Sequence, residues 1–520
     1  MWFARSLAAL VVAAAFVTPL AAQTATVQER LDLAALARIR DEGLNRSRVD
    51  SLAGHITDVI GPRLTASSGM RRAQDWAAQT LRAWGLTNVA IEPWDSLFGR
   101  GWERVSFSAR MVEPYAQPLN AVPQAWTGST RGAVTCPVMP VTIAADSDLT
   151  QYTGRLRGAC VMRAAPRVVA DEFTAPARRF DADSLIALSG RVLANRPNAP
   201  QPQQAQAGGP TNFQAQQQFN ARLMGWFQAQ GVVALLNGSN WGFGMLLTGG
   251  GPQSRQARDS ANFEPLPSLT LSNEHYGQLW RNAQRGVPTR LELNIQNRFT
   301  NPDRREYNVV GEIPGTDLAS QWVMIGAHYD SWHPGTGATD NGAGSVVMLE
   351  AMRILRTLNL PMRRSVRIAL WSGEEQGLLG SRDYVRKHAA EMANISAYLN
   401  VDNGSGRLRG VYAQSNAAVV PVWEQILSPF RDLGVVAMMP GNTGGTDHLA
   451  FDAVGVPGFQ YVQDALSYDT RTHHSNIDTY ERLNMDDLKQ AATIVAWSVY
   501  TIANRDEMMP RKPQTPRATN

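Results

Sequence analysis

Trp322-Val323-Met324-Ile325-Gly326-Ala327 runs straight into His328-Tyr329-Asp330, and the same construction recurs twice further along the chain. Residues 366–371 are apolar and lead into Ser372-Gly373-Glu374-Glu375; residues 397–401 lead into Asp402. Each run has strand length and delivers a polar, chemically capable side chain at its carboxyl end. Between the first two lie residues 344–358, where Val347, Ala351, Ile354, Leu355 and Leu358 line one face at helical spacing. Residues 309–313 add one more short apolar run. Strands alternating with helices predict an α/β fold whose mixed, largely parallel sheet is sandwiched by helices. Ligands of such sheets bind beyond the carboxyl ends of the strands, which is where these polar clusters fall.

Upstream the texture differs. Residues 28–105 read as a helical N-terminal part of the same catalytic unit, with turn signals at Gly61-Pro62-Arg63 and Gly85-Leu86. Trp76, Leu81 and Trp84 mark an inward helical face, and residues 89–91 a short strand. Across 106–295 short β-like runs are separated by Gly and Pro, which predicts a separate β-rich domain inserted into the catalytic one. Within it a Gln/Pro/Ala/Asn-rich stretch near 195–218 is too polar to bury a core and reads as a disordered loop. Residues 300–510 hold the catalytic domain.

Length and composition agree with this division. A chain of 520 residues is too long for one ordinary core, and 44% hydrophobic with 18% charged residues suits a globular protein. No interior stretch reaches the roughly 18 apolar residues of a membrane span. At the start, Arg5, the apolar residues 7–17, the break at Thr18-Pro19 and small Ala21-Ala22 read as an export signal over residues 1–24. The mature protein is then periplasmic or secreted; a retained N-terminal anchor is the alternative. The net charge of +4 is small, and the basic residues form no stripe with interleaved aromatics, which argues against a nucleic-acid partner. Cys136 and Cys160 are the only cysteines. In an exported protein they form either one disulfide, closing a loop of about 25 residues and contributing on the order of 3 kcal/mol, or two buried thiols. Any metal site must therefore use histidine and carboxylates.

That inventory is present. Zinc takes imidazole nitrogen and carboxylate oxygen at about 2.0–2.2 Å. Two ions about 3.5–4 Å apart need one shared carboxylate and separate terminal ligands on each side. The strand ends, the Asp340-Asn341-Gly342 turn and the late loop His473-His474-Ser475-Asn476-Ile477-Asp478 supply such a set. It assigns His328, Asp340 and Asp402 to one ion, and Asp340, Glu375 and His474 to the other. Taken singly, each has a bland explanation: Asp340-Asn341-Gly342 is a good helix cap, Glu374-Glu375 a good first helical turn, and Asp402-Asn403-Gly404 a common turn. Five segments converging on one sheet edge outweigh that, because carboxylates gathered there repel one another unless a cation compensates them.

His328-Tyr329-Asp330, Asp340-Asn341-Gly342, Trp371-Ser372-Gly373-Glu374-Glu375-Gln376-Gly377, Asp402, and His474-Ser475 with Asp478-Thr479 together resemble the co-catalytic two-zinc aminopeptidase/carboxypeptidase Q family. The likeness extends to Gly61-Pro62-Arg63-Leu64, Trp102-Glu103-Arg104, Asp330-Ser331-Trp332, Gly445-Thr446-Asp447, Gly455-Val456-Pro457-Gly458 and Met508-Met509-Pro510-Arg511. It implies a zinc-exopeptidase fold, an inserted protease-associated-type domain that caps the site, two Zn2+ per chain and a homodimer. It also implies that Glu374 is the general base and Glu375 the ligand, a division that suits a base which must stay off the metal. Asp330 and Asp478 are expected to orient the ring nitrogens of His328 and His474. His473 is expected to be structural or to support the ligands, and His333 and His448 to be structural or at the rim. The implied activity is hydrolysis of dipeptides or short peptides, with an aminopeptidase of longer peptides as the alternative. A non-catalytic homologue, or the single-zinc glutaminyl cyclisation of a related branch, fits less well because no ligand of the pair is missing.

Overall fold

Four parallel strands form the centre of the sheet that carries the polar clusters: Arg364–Trp371, Leu318–His328, Ile395–Asn400 and Gly458–Gln463, in that spatial order. Thr87–Pro93 and Tyr307–Ile313 extend it antiparallel at one side, and Leu408–Tyr412 and Ala437–Met439 complete it at the other. The parallel register puts His328 beside Trp371, so the segments that follow both strands leave the sheet at one level. The computed structural model describes residues 28–194 and 210–513. The signal read over residues 1–24 lies outside them.

The sheet is covered by helices on both faces. Ala343–Leu358 and Met485–Asn504 pack together against one face, and Leu33–Asn45 lies over both. Their shared core includes Ile39, Val347, Ile354, Ile368, Leu399 and Val495, all fully buried. Ser67 and Asn484 cap Ser68–Ala83 and Met485–Asn504 by accepting from the amides of Met70 and Asp487. A buried ion cluster stitches the N-terminal helix to this layer. Arg353 reaches Glu42 Oε1 at 2.7 Å and Glu350 Oε2 at 2.8 Å, while Glu350 also accepts from Ser47 Oγ and the Arg48 amide. Arg353→Met would leave the buried Glu350 without its cation and Glu42 with Arg46 alone, so a loss of about 3–5 kcal/mol in urea unfolding is expected. A loss below 1 kcal/mol would mean that the cluster holds nothing.

A second eight-stranded sheet comes from the middle of the chain. Its longest pair is Gly101–Glu113 against Arg290–Thr300, and Val134–Pro140, Cys160–Met162, Ala234–Gly238 and Ser268–Leu271 follow in order beyond Arg290–Thr300. This sheet starts and ends outside the span 106–295 read from the sequence. Glu103 and Arg298 face each other across the outermost part of the pair, and these charges mask a strand that nevertheless buries Trp102 completely. Cys136 and Cys160 form a disulfide between adjacent strands, which resolves the choice left open above.

The region is also less purely β than expected, since Ala182–Ala194, Pro210–Ala229 and Asn273–Gln284 are helices. The second of these corrects the reading of 195–218 as one disordered loop. Residues 195–209 lie outside the described residues, but from Pro210 onward the chain is helical. Leu223, Met224 and Phe227 recur at helical spacing and are buried in a small core, an anchoring face that lies just past the Gln-rich stretch. No helix among the described residues is long and apolar enough to cross a membrane.

Candidate metal centre

The four parallel strands and the loop after Gly458–Gln463 bring the five ligand candidates to one place. His328 Nε2 lies 3.1 Å from Asp402 Oδ1 and 3.3 Å from Asp340 Oδ1. On the other side, His474 Nε2 lies 3.3 Å from Asp340 Oδ2 and 2.9 Å from Glu375 Oε2. The two oxygens of Asp340 therefore face two different pairs of side chains. Ligand atoms about 2.0–2.2 Å from one tetrahedral ion stand roughly 3.3–3.6 Å apart, close to what three of these distances show. Asp340 Oδ2 and Glu375 Oε1 are buried with no hydrogen-bond partner, as ligands awaiting a cation should be. The donor set and the orphaned oxygens fit a pair of zinc ions.

Local structure fixes each ligand. His328 ends its strand, and its Nδ1–H donates to the carbonyl of Asp330 at 3.0 Å, which leaves the Nε2 lone pair directed at Asp340 and Asp402. Asn341 Nδ2 donates to the carbonyl of Val401, and Asn341 Oδ1 accepts from the Gly344 amide, tying the Asp340 turn to the strand end bearing Asp402. Arg63 is fully buried and donates to the carbonyls of Gly61, Tyr329, Thr336 and Gly337. One guanidinium thus clamps both ends of the loop from His328 to Asp340. His474 stands at φ 57°, a left-handed conformation that costs a histidine about 1 kcal/mol or more. Trp332 packs edge-on against its ring at 6.1 Å, and the segment Leu246 to Thr248 from the second sheet's connections bonds to the backbone around it.

Two orientations expected from the sequence are corrected. The Asp330 carboxylate lies 3.7 Å from His328 Nδ1; its oxygens accept from Thr65 Oγ1 and from the amides of Glu374 and Glu375. Asp330 therefore orients the Glu374-Glu375 turn, and its own carbonyl orients the histidine. Asp478 does not meet the His474 ring. It accepts from Thr339 Oγ1 and the amides of Thr339 and Asp340, so it holds the Asp340 turn instead. Both carboxylates follow a histidine closely in sequence, which made the nearby ring the obvious target, but backbone amides on another segment claim them.

His473 stands closer to the centre than a purely structural residue would. Its Nε2 is 3.8 Å from Asp340 Oδ2, its ring is 3.8 Å from that of His474, and the trio Asp340, His473 and His474 is compact enough to hold an ion. Glu375 is nearer to His474 and its side chain is 3% exposed, against 48% for His473, so Glu375 is the better third ligand of that half. His333 and His448 are buried away from the centre, bonded to the carbonyl of Pro123 and to Gln414 respectively. Asp447 was read only as part of a motif. It is fully buried with both carboxylate oxygens unpartnered, and burial pushes its pKa up to about 7.

Charge explains why the site needs a cation. Burial, reinforced by the carboxylates of Asp402, Asp447 and Glu375, drives the Glu374 carboxyl far above its ordinary range, against the attraction of His328. Burial and Asp340 do the same to Glu375. For His328 burial favours the neutral ring, but Asp402 and Glu374 outweigh it and raise the pKa. The centre opens into a cleft of about 520 Å³ lined also by Tyr468 and the turn at Gly444-Gly445-Thr446. A peptide of a few residues fits such a space.

The sequence of this half matches one family. Residues 308–499 match the model of peptidase family M28. Carboxypeptidase Q of Bos taurus is 28% identical over 462 residues, covering 88% of this chain and 85% of the relative. A peptidase M28 precursor from Shewanella amazonensis has a similar structure, with a TM-score of 0.65 at 24% identity, covering 92% of this chain and 99% of that one. A zinc aminopeptidase from Bacillus subtilis, with a TM-score of 0.55 at 18% identity, covers 88% and 95%. The protein is a zinc-dependent exopeptidase that is similar to peptidase family M28 over residues 308–499.

Behind the metal centre, Glu306 is buried with Gln74 Nε2 and the Tyr307 amide donating to its Oε1. Burial raises its pKa from 4.5 to about 7. The folded protein thus binds a proton that the unfolded chain releases above pH 4.5, so stability falls as pH rises from about 4.5 to 7. The decline is on the order of 3 kcal/mol. Glu306→Gln should match wild type in chemical denaturation near pH 4.5 and exceed it near pH 8. Equal stabilities at pH 8 would refute this.

Proposed function

We propose that the protein is an exported two-zinc exopeptidase that hydrolyses dipeptides or short peptides. The observation that carries this is the division of Asp340, one oxygen facing His328 and Asp402 and the other facing His474 and Glu375. Zinc held there supplies Lewis acidity for the scissile carbonyl and lowers the pKa of water. Glu374 lines the same cleft without joining either ligand group, which supports its role as the base that takes the water's proton and delivers it to the departing amine. Asp330 positions that turn through the Glu374 and Glu375 amides, and Asp478 positions Asp340.

Residues 28–100 and 301–510 form the catalytic domain in this reading, and the second sheet with its connections is a protease-associated-type cap. Its contact with the backbone of the His474 loop supports a place over the site. A homodimer and removal of residues 1–24 complete the proposal. Likeness to carboxypeptidase Q over most of the chain favours a dipeptidase over an aminopeptidase of longer peptides. Zinc-loaded protein should be assayed on one dipeptide with free, amino-blocked and carboxyl-blocked ends, together with zinc counted per chain. A requirement for both free ends and two zincs supports the reading. Hydrolysis that tolerates a blocked carboxyl end selects the aminopeptidase, and one zinc per chain removes the bridging role of Asp340.

A further inference from the structure

Arg258 is an arginine without an acceptor. Its guanidinium sits 5.0 Å from the Phe98 ring and 5.3 Å from that of Trp126, and its Nε is buried without a hydrogen bond. Among the described residues no carboxylate pairs with it, and burial depresses its pKa. A half-buried cation held by aromatic faces with its Nε–H unmet is costly to keep, and the fixed fork of a guanidinium suits a planar anion. The side-chain amide of Gln376 is equally unsatisfied, with both its nitrogen and its oxygen buried and unpartnered. Both side chains line one cavity of about 580 Å³. Two acids line the same cavity: Asp383 is occupied by the Asp95 and Ser96 amides and by Arg386, and Asp259 lies 3.9 Å from Arg255.

This cavity borders the metal cleft. Gln376 follows Glu375 directly, and the turn from Glu374 to Leu379 separates the two spaces. A wall of rings joins them on the other side: His474 to Trp332, Trp332 to Trp126, Trp126 to Phe98 and Phe98 to Trp94, each 6.1 Å between centroids. Trp94 then closes on Gly373, where an added Cβ would come within 2.6 Å of the ring. A leaving group protonated by Glu374 would reach this cavity by extending past the turn that the two spaces share.

We propose that the Arg258–Gln376 cavity receives a carboxylate on the leaving-group side of the peptide, paired with the Arg258 guanidinium and hydrogen-bonded by the Gln376 amide. This rests on the exopeptidase reading above and adds the group that the enzyme selects. The carboxylate is either the main-chain terminus or an acidic side chain, and the two are separable. Zinc-loaded full-length protein is assayed with Leu-Ala, Leu-Ala amide and Leu-Glu amide. In wild type one of the two acids should have a KM about tenfold or more below that of Leu-Ala amide. Preference for Leu-Ala identifies the terminus, and preference for Leu-Glu amide the side chain. Arg258→Met should bring that KM ratio towards one at unchanged zinc content, and Arg258→Lys, which keeps charge but loses the fork, should give an intermediate ratio. A wild-type ratio near one for both acids overturns the proposal, and so does a ratio that Arg258→Met leaves intact. In either case hydrolysis itself still stands. No hydrolysis of any of the three overturns the exopeptidase reading and this proposal with it.

Discussion

Glu374→Gln should lower turnover of a dipeptide by about 10²-fold or more while zinc per chain stays at the wild-type value. The substitution keeps the shape of the side chain and removes only its capacity to take a proton. The backbone amide of Glu374 is held by Asp330 Oδ1 at 3.2 Å, a contact that does not involve the side chain. The turn should therefore keep its place, and Glu375, whose amide bonds to the other Asp330 oxygen at 3.3 Å, should keep facing His474. Burial and the surrounding carboxylates make Glu374 a group that holds a proton strongly once it has one. Glu375 shares that upward shift, so position separates the two: Glu375 Oε2 lies 2.9 Å from His474 Nε2, whereas Glu374 joins neither ligand pair. Near-normal kcat for Glu374→Gln would end this assignment, and loss of zinc would move Glu374 into the ligand set. Asp330→Asn offers a graded comparison, because it weakens the hold on the turn without touching the base.

The sequence carried the strands and their polar ends clearly, because a parallel strand buried on both faces is a short, nearly continuous apolar run. The strand through Ile325 and the strand through Ile368 are fully buried at their centres, and both runs stand out in the linear chain. Four of the five ligand candidates were legible for a related reason, since each stands at a run's end or beside a glycine turn; His474 was legible only through Ser475 and Asp478 that follow it. The supporting contacts were not. Arg63 lies 266 residues from one of the carbonyls it clamps, and nothing about an isolated Gly-Pro-Arg says where its guanidinium will go. Asp478 and Asp330 were expected to serve neighbouring imidazoles, whereas their partners are amides brought in by folding. His473 looked idle because adjacent residues in an extended loop normally point apart, yet here both rings turn towards Asp340. Arg258 gave no signal at all, since an arginine on a short polar helix is ordinarily solvated.

Removal of Asp340 should have the largest effect of any single substitution. Asp340→Ala is expected to reduce zinc from two per chain to near zero and turnover by at least about 10³-fold, with no response of the thermal midpoint to a chelator. Among the described residues no other side chain reaches both ligand pairs, so its loss leaves His328 with Asp402 and His474 with Glu375 as two separate two-ligand sites. Neither approaches the three protein ligands usual for a zinc that does chemistry. Stability should show the same logic from the other side. In wild type, each ion at a free concentration 100-fold above its Kd adds about 2.7 kcal/mol, so a chelator should lower the midpoint markedly. Without metal, burial opposes the charge on Asp340, but His328, His474 and His473 outweigh it and hold the carboxyl well below the usual carboxylate range, so the metal-free variant should be less stable than metal-free wild type near neutral pH. A variant that kept a single zinc would show Asp340 to be a terminal ligand of one ion only. A variant that kept both would place the bridge elsewhere, and the two-sided geometry of this carboxylate would then have no bearing on catalysis.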